Sequence, residues 1–407
     1  MGSISTESRG WPLPSDIADC CRSVCAGTYR SADLLPLSVA ELSLRNEFPP
    51  VQEQSVSATC TAHAVAALVA YAENPAQPPA LSAQFLFDQV KRAEDAWIER
   101  NLDSIRYGME PDREFGLLYG RPYERLKRLV AANGGFKSGA SQTFLAQFEE
   151  QLRTRTGVAS GSLIHRCFEV VRECGICSEE LCPAVSVQRQ SLAGEMGLAE
   201  PLRKLVADAA RHRVPRGLRL LEHPNSVNEI RKILLGVDGL RPMPVCVAVD
   251  LFDGCTEGEF AFPEVGDDGK TMNRPLGLHE VLLVGFADHA AEPGGGSFIV
   301  RNSWGPGWGE TGYGRMSYAY LEIFCREAGT IQRRREQVAS LPAAHSASNA
   351  GGVCAICGKT YYGGTSLRFL CEEPGCGARI CFDCHERKMT RRCQKHAAAM
   401  PRESSGT

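Results

Sequence analysis

Four residues of this chain carry the side chains that acyl transfer through a thiol requires. Cys60 offers a nucleophile, His279 an acid/base group, and Gln54 and Asn302 two side-chain amides. Cysteine attacks only as a thiolate, so it needs a partner, such as a neighbouring histidine, that accepts its proton. The residue types therefore predict a thiol-dependent acyl transfer.

The two amides have separate predicted roles. An asparagine oxygen that accepts the histidine ring N–H holds one tautomer and leaves the other ring nitrogen facing the sulfur. The charge that develops on the attacked carbonyl oxygen needs fixed donors, which a glutamine amide and the backbone N–H of the nucleophile can supply. We therefore predict catalytic roles for Gln54, Cys60, His279 and Asn302, with no cofactor in the reaction itself.

The local sequence predicts which elements carry these groups. The alanine-rich run 61–72 lacks Gly and Pro and predicts a largely buried helix, so Cys60 lies at a helix start, where the backbone dipole favours a thiolate. His279 precedes the apolar run 281–286 and Asn302 follows the run 297–300, which predicts strands for both runs. The glycine-rich residues between the two runs predict a hairpin loop.

Several segments resemble the papain-like cysteine peptidases. The strongest resemblance is 302–314, which begins Asn-Ser-Trp-Gly and repeats the glycine spacing of that family. The six-residue step from Gln54 to Cys60 and the residues around His279 also resemble it. Four further segments resemble the bacterial branch of the family: 49–51, 81–86, 175–180 and 314–321. In all, the resemblance covers residues 41–331.

The resemblance implies an α+β fold of two lobes with the active site between them. A helical left lobe is led by the Cys60 helix, and an antiparallel β right lobe carries His279 and Asn302. It also implies that Trp304 shields the Asn302 to His279 hydrogen bond from water, and that Gln54 is the oxyanion donor. The implied function is endopeptidase hydrolysis of protein or peptide substrates through a Cys60 acyl-enzyme.

The chain departs from the family pattern in two places. The usual Cys-Gly-[Ser/Ala]-Cys-[Trp/Tyr] signature is replaced by Ser57-Ala58-Thr59-Cys60-Thr61, without the preceding cysteine or the following aromatic residue. His279 also follows Cys60 by 219 residues, against roughly 130 to 150 in the typical case. The extra length predicts inserted loops, most of them between residues 90 and 225.

Other histidines and cysteines invite alternative interpretations. His63 lies almost one turn along the predicted helix from Cys60, which favours a satisfied core histidine over a second base. Cys174, Cys177 and Cys182 could suggest a metal site, but Cys177 falls in a family-like segment. We therefore predict that this group does not bind metal.

The C-terminal region contains a second set of residues with a chemical role, which are typical metal ligands. It contains four closely spaced pairs of zinc-type ligands: Cys354 and Cys357, Cys371 and Cys376, Cys381 and Cys384, and Cys393 and His396. Tetrahedral zinc prefers four sulfur or nitrogen ligands, so eight ligands predict two structural zinc ions. Because so short a segment buries little apolar area, the metals would supply most of its stability.

The order of the pairs resembles cross-braced zinc modules of the ZZ, RING and PHD type. In those modules pairs one and three share one ion, and pairs two and four share the other. The segment 367–371 and the Cys381 to Cys384 step look most like ZZ domains, although the fourth pair differs. His385 is a rival to His396 as a ligand. A disulfide knot would instead need an oxidising compartment.

Composition agrees with an enzyme followed by a small module. We predict an N-terminal extension (1–40), a peptidase domain (41–331), a flexible linker (332–352), a zinc-stabilised module (353–398) and a tail (399–407). A hydrophobic content of 43% supports a sizeable core, and a net charge of -3 argues against nucleic-acid binding. Without an apolar leader or an apolar run of 18 residues, the sequence predicts no membrane span and a cytoplasmic location.

Two other functions are compatible with the same residues. One is a related acyl transfer, such as amide ligation or isopeptide cleavage. The other is a zinc-dependent interaction protein in which the peptidase-like part is a scaffold without catalysis. In the favoured interpretation the zinc module recruits a substrate or a protein partner to the peptidase.

Overall fold

The structure is a computed structural model that describes residues 11–334, except 30, 32, 55–57, 137, 157–160, 184–198 and 256–257, and four short strands between 351 and 380. The eight predicted zinc ligands, and His385, lie outside the described residues.

Helices dominate the first half of the described chain. They are α1 (Ser15–Cys25), α2 (Cys60–Glu73), α3 (Ala83–Arg106), α4 (Arg113–Ala132), α5 (Gly139–Thr156), α6 (Ile164–Glu173), α7 (Ala199–Ala209), α8 (Val227–Leu235) and α9 (Tyr318–Phe324). Short 3-10 turns lie at Arg45–Glu47 and Ala210–His212.

Most strands lie in the second half. They are β1 (Trp11–Pro12), β2 (Glu41–Ser43), β3 (Leu218–Leu220), β4 (Val245–Phe252), β5 (Lys270–Thr271), β6 (Pro275–Asp288), β7 (Gly296–Arg301), β8 (Tyr313–Ser317), β9 (Cys325–Ile331), β10 (Gly351–Val353), β11 (Thr360–Tyr362), β12 (Phe369–Leu370) and β13 (Arg379–Ile380). The predicted α+β class is therefore correct, and the predicted hairpin is formed by β6 and β7.

One antiparallel sheet of seven strands organises the second half of the chain. Its order is β3-β9-β4-β6-β7-β8, and β2 also pairs with β6. In the pairing of β4 with β6, Val249 lies opposite His279, and Ala248 lies opposite Glu280. Because successive side chains of a strand point to opposite faces, His279 and Glu280 are directed to different sides of the sheet.

Helix α2 packs directly against this sheet. Twelve of its 14 residues are buried, and alanines at five of those positions let the helix backbone approach strand β6 closely. Because no Gly or Pro interrupts the run, the helix continues unbroken from Cys60 to Glu73. The predicted buried helix with Cys60 at its start is confirmed.

The extra length between Cys60 and His279 is largely helical rather than looped. Helices α3, α4 and α5 enclose a small apolar core of their own, separate from the main core. Phe115 is fully buried there and packs against Trp97, Tyr123 and Phe148. Asp112 caps α4 and accepts a hydrogen bond from Trp97 Nε1 at 2.7 Å, which ties α4 to α3. The expected insertion is present within 90–225, but the expectation of loops was wrong for this part.

Part of the predicted N-terminal extension packs on the main core. Cys21 of α1 is fully buried, and Leu34 and Leu37 pack against the same apolar cluster as α2 and the sheet. Strand β1 pairs with β5. Cys21, Leu34 and Leu37 of the predicted N-terminal extension therefore share the core of the peptidase-like part.

Two short antiparallel pairs are described in the C-terminal region. Strand β10 pairs with β11, and β12 pairs with β13. In sequence, the first two predicted ligand pairs fall in the connections of these two hairpins. Across the described part of the chain, every helix is too short or too polar to cross a bilayer.

Candidate active site

His279 of β6 and Asn302, which directly follows β7, meet under a tryptophan. His279 Nε2 lies 2.8 Å from Asn302 Oδ1. Since an amide oxygen only accepts, the hydrogen must be on Nε2, which leaves Nδ1 as the basic nitrogen of the neutral ring. The Trp304 ring stacks on the imidazole at a centroid distance of 4.6 Å. The structure thus brings together the predicted orienting pair and its predicted shield.

A glycine-rich turn between β7 and β8 holds Asn302 in place. The Asn302 backbone N–H donates to Gly312 O at 3.1 Å, and the Asn302 side-chain Oδ1 also accepts from Ser303 N at 2.8 Å. Gly305 has φ +72° and Gly312 has φ +87°, values that other residues rarely adopt. A Cβ at Gly312 would also lie 2.5 Å from the Val51 side chain. These constraints explain why glycines recur in this segment.

Gln54 lies beside this turn. Its backbone N–H donates to Ser303 O at 2.8 Å, and its side-chain Oε1 accepts from Ser303 Oγ at 2.5 Å. These two bonds fix the orientation of the amide, whose NH₂ group is the donor that an oxyanion role needs. Residues 55–57, between Gln54 and the nucleophile helix, are not among the described residues.

The Cys60 thiol makes its hydrogen bond with Glu280, the residue after His279. Cys60 Sγ donates to Glu280 Oε2 at 2.9 Å, and both residues are buried. Sequence reasoning assigned no role to Glu280. A signal was available, because a carboxylate inside a buried apolar strand is costly and calls for a specific partner.

The three acid/base groups have strongly perturbed pKa values. Burial, and then the charge of Glu280, raises the pKa of the Cys60 thiol to about 12. Burial raises the pKa of Glu280 to about 7, although the hydrogen bond from Cys60 opposes this. Burial lowers the pKa of His279 to about 4, against the effect of the Asn302 bond. The start of helix α2 was predicted to favour the Cys60 thiolate, but burial and the charge of Glu280 outweigh that effect.

A second carboxylate shares the face of the sheet on which Glu280 lies. Glu327 of β9 lies opposite Ala248, which in turn lies opposite Glu280, so the two acids are two strands apart, roughly 10 Å. Glu327 accepts hydrogen bonds from Ile164 N at 2.9 Å and from both N and Nδ1 of His165, at 3.1 and 2.9 Å. Burial acts to raise the pKa of Glu327, but its bonds with His165 lower it. Glu327 is therefore ionised and raises the pKa of Glu280 further.

Only one of the two ring nitrogens of His63 makes a hydrogen bond with the described residues. Its Nδ1 donates to Thr59 O at 2.9 Å within α2, which matches the expected core position. Its Nε2 and the Asn302 Nδ2, however, have no hydrogen-bond partner among the described residues. Both residues line a cavity of about 80 Å³ between α2 and the sheet, together with Glu280 and Arg301.

The remaining candidate group is the set of cysteines near α6. The thiols of Cys177 and Cys182 hydrogen-bond to each other. Within the described ranges, no cluster of three or more His, Cys, Asp or Glu side chains has a geometry that could hold a metal ion. The 11 cysteines of these ranges are free thiols.

Part of this chain is similar in sequence to known proteins. Residues 241–328 match the family model described as "Papain family cysteine protease". Vignain from Vigna mungo is 42% identical over 77 residues, which is 18% of this chain and 18% of vignain. Cysteine proteinase 3 from Solanum lycopersicum is 37% identical over 76 residues, 18% of this chain and 19% of that protein. The chain thus spans about a fifth of the length of the curated relatives it matches.

Among solved structures, xylellain, a cysteine protease from Xylella fastidiosa, aligns with 17% identity and a TM-score of 0.43 over 82% of this chain and 95% of that one. The family-model match includes the strand of His279 and the turn of Asn302. The segment from residue 241 to residue 328 is therefore similar in sequence to the papain family of cysteine proteases.

Proposed function

We propose that this chain is a papain-like cysteine endopeptidase that hydrolyses peptide bonds through an acyl-enzyme at Cys60. The observation that carries the proposal is the His279 Nε2 to Asn302 Oδ1 bond of 2.8 Å beneath Trp304, within a segment of papain-family sequence. The Cys60 sulfur lies 2.9 Å from a side-chain oxygen of the residue that follows this histidine. Cys60 therefore contacts strand β6, which carries His279, and Ser303, the residue after Asn302, fixes the Gln54 amide.

The proposed reaction has two halves. Deprotonated Cys60 attacks the carbonyl carbon of the scissile peptide bond, and the new S–C bond forms as the carbonyl electron pair moves to oxygen. The Gln54 amide and the Cys60 backbone N–H stabilise that oxyanion. His279, which takes the proton of Cys60, donates it to the leaving amine as the oxyanion collapses and the C–N bond breaks. In the second half the neutral ring deprotonates a water molecule, whose oxygen attacks the thioester carbonyl, and the C–S bond breaks to release the acid. Asn302 keeps the ring oriented through both halves.

Covalent labelling tests the proposal against a non-catalytic scaffold. A peptide that carries an electrophilic carbon in place of the scissile carbonyl should form one adduct, at Cys60, faster than iodoacetamide does, because the peptide occupies the cleft first. Intact mass and peptide mapping give the site of the adduct. Labelling of Cys60 no faster than of the exposed Cys25 would favour the scaffold.

Product analysis distinguishes hydrolysis from acyl transfer. An acyl-enzyme can be resolved by water or by an amine, so the same residues could ligate or cleave isopeptides. With added amine at a concentration far below that of water, hydrolysis predicts the free acid as the main product. A dominant amide product would instead assign the chain to acyl transfer.

We also propose that the C-terminal segment holds two structural zinc ions and recruits protein substrates or partners. Seven thiols and one imidazole form a donor set that suits two tetrahedral sites. The described hairpins β10–β11 and β12–β13 flank the first two ligand pairs in sequence, an arrangement compatible with such sites. The metal would stabilise the module and take no part in the hydrolysis.

The zinc proposal predicts a metal content. Intact protein should contain about two zinc ions per chain by elemental analysis, because eight ligands form two sites. Cys381→Ser should lower this number, whereas Cys25→Ser, at an exposed cysteine in α1, should not. A chain ending at Ser340 should still cleave short peptides and should lose rate only on protein substrates, since tethering raises the local substrate concentration. Loss of short-peptide cleavage would mean that the module completes or gates the active site.

Membership of the bacterial branch and a cytoplasmic location are part of the proposal. The first rests on the bacterial-like segments named above, and the second is supported by the free thiols. Cell fractionation would test the location.

A further inference from the structure

Cys177 and Cys182 form a pair of thiols that the proposed reaction and the predicted zinc sites leave unused. The two residues lie in the segment between α6 and α7, and their side chains hydrogen-bond to each other. Cys177 is fully buried, whereas Cys182 is partly exposed. One thiol of the pair is therefore open to a small reagent in solution, and the other lies beside it, shielded from water.

Hydrogen bonds to two helices hold the backbone of this pair in place. The N–H of Ser82, the N-cap of α3, donates to Cys177 O at 2.8 Å, and the Ser82 hydroxyl donates to Cys182 O. Between the two cysteines, the N–H and the hydroxyl of Ser178 both donate to Oδ2 of Asp208 in α7, at 2.7 Å. These bonds keep the two sulfurs in contact without a covalent link.

The hydrogen bond between the thiols makes them unequal in acidity. It lowers the pKa of Cys182 to about 7, although burial opposes this. The same bond, and then burial in an apolar cluster with Phe85 and Ala209, raises the pKa of Cys177. Near neutral pH, Cys182 is therefore a thiolate in a large fraction of molecules, while Cys177 keeps its proton.

Three carboxylates face the pair and act against a thiolate. The charges of Asp88 in α3 and of Glu179 act to raise the pKa of Cys182, and the charge of Asp208 raises that of Cys177. Burial acts to raise the pKa of Asp208, but its bonds from Ser178 lower it, so its charge is constant near neutrality. For Cys182 the bond from the neighbouring thiol outweighs these charges.

We infer that Cys177 and Cys182 are a redox modification site, at which a hydroperoxide converts the two thiols into a disulfide. The Cys182 thiolate attacks the terminal peroxide oxygen, an S–O bond forms as the O–O bond breaks, and the departing hydroxide or alkoxide takes a proton from water. The Cys177 sulfur then attacks the Cys182 sulfur, and the S–O bond breaks as hydroxide leaves with the Cys177 proton as water. The thiols together lose two electrons and two protons, and the two electrons reduce the peroxide.

The exposure of each thiol fits the order of these two steps. Cys182, which is partly exposed, can meet the peroxide, whereas Cys177 is buried and reacts only with the sulfur that it already contacts. A low-pKa, accessible cysteine beside a second cysteine that resolves its sulfenic acid is the usual arrangement of a redox-sensitive pair.

Cys20 provides a matched control in the same chain. It is partly exposed, as Cys182 is, but burial and two neighbouring aspartates raise its pKa. At pH 7 it is therefore almost entirely protonated. We expect hydrogen peroxide to oxidise Cys182 about tenfold faster than Cys20, because the larger thiolate fraction outweighs the lower nucleophilicity of the more acidic thiol.

Hydrogen peroxide applied in small excess to the reduced full-length protein tests the inference. Remaining thiols are blocked with iodoacetamide, and the peptides are mapped without reduction. The peptide that contains Cys177 and Cys182 should lose the mass of two hydrogen atoms. The logarithm of its rate of formation should rise with unit slope and flatten above about pH 7, since the thiolate fraction of Cys182 then stops increasing. Oxidation of Cys20 should still be rising at that pH.

Variants separate the two steps. Cys177→Ser keeps a hydrogen-bond donor but cannot form the disulfide, so the sulfenic acid of Cys182 should accumulate and be trapped by dimedone. Cys182→Ser should give neither product. Cys174→Ser, at a partly exposed cysteine nearby in sequence, should form the disulfide at the wild-type rate.

Two outcomes would overturn the inference. One is oxidation of Cys182 no faster than that of Cys20 in the wild type, a comparison that does not depend on the folding of any variant. The other is a disulfide between Cys174 and Cys182 that forms in Cys177→Ser as fast as the wild-type product. None of these measurements needs peptidase activity, so failure of the proposed function would not alter them.

Discussion

Cys60→Ala is expected to lower kcat/KM for peptide hydrolysis by about 10⁴-fold or more, the scale seen when a nucleophile is removed. Among the described residues, Cys60 is the only thiol of α2. The fold should survive, because loss of one buried sulfur costs on the order of 1 kcal/mol. Thermal melting should then shift by only a few degrees.

The control for this variant is Cys21→Ala. Cys21 is fully buried in α1 and belongs to the main core. Its replacement should shift the melting temperature by a similar amount and leave hydrolysis unchanged. Full activity in Cys60→Ala would disprove the mechanism, whereas loss of activity in both variants would point to instability.

His279→Ala is expected to reduce kcat/KM by about 10²- to 10⁴-fold, the usual contribution of a positioned acid/base group. Asn302→Ala should reduce it about tenfold less, since the imidazole remains but loses the 2.8 Å bond that orients it. Both variants can be compared with Asn302→Asp, which keeps an acceptor oxygen for His279 Nε2.

The acceptor variant distinguishes positioning from a structural role. Asn302→Asp should recover part of the activity lost in Asn302→Ala and should shift the acid side of the pH profile, because a nearby carboxylate raises the pKa of the imidazole. A loss in Asn302→Ala as large as that in His279→Ala, with lower stability, would show that Asn302 mainly holds the turn through Ser303 and Gly312.

Local features of the fold were predictable from the sequence because short-range physics determines them. The alanine-rich run after Cys60 has high helix propensity, and the structure has α2 there. The apolar runs after His279 and before Asn302 have strand character and form β6 and β7. The glycines of the turn after Asn302 are required at positive φ, so they mark that turn in the sequence.

The inserted region was predictable in size but not in structure. The 219-residue spacing between nucleophile and histidine indicates extra length, but spacing says nothing of how that length folds. Helices α3 to α5 form because Phe115, Trp97 and Phe148 bury one another across segments distant in sequence. Such packing depends on partners that no local window contains.

By itself, the sequence determined which residues can do the chemistry and which elements carry them: a cysteine at a helix start, a histidine in a strand, and an asparagine in a glycine-rich turn. Only the tertiary structure decided which group accepts the hydrogen bond of the nucleophile's thiol. The pairing of β4 with β6 directs His279 and Glu280 to opposite faces, and the packing of α2 brings Cys60 to the Glu280 face. The pKa of a buried group depends strongly on the few groups that surround it. Burial beside Glu280, which is distant from Cys60 in sequence, therefore raises the pKa of the Cys60 thiol.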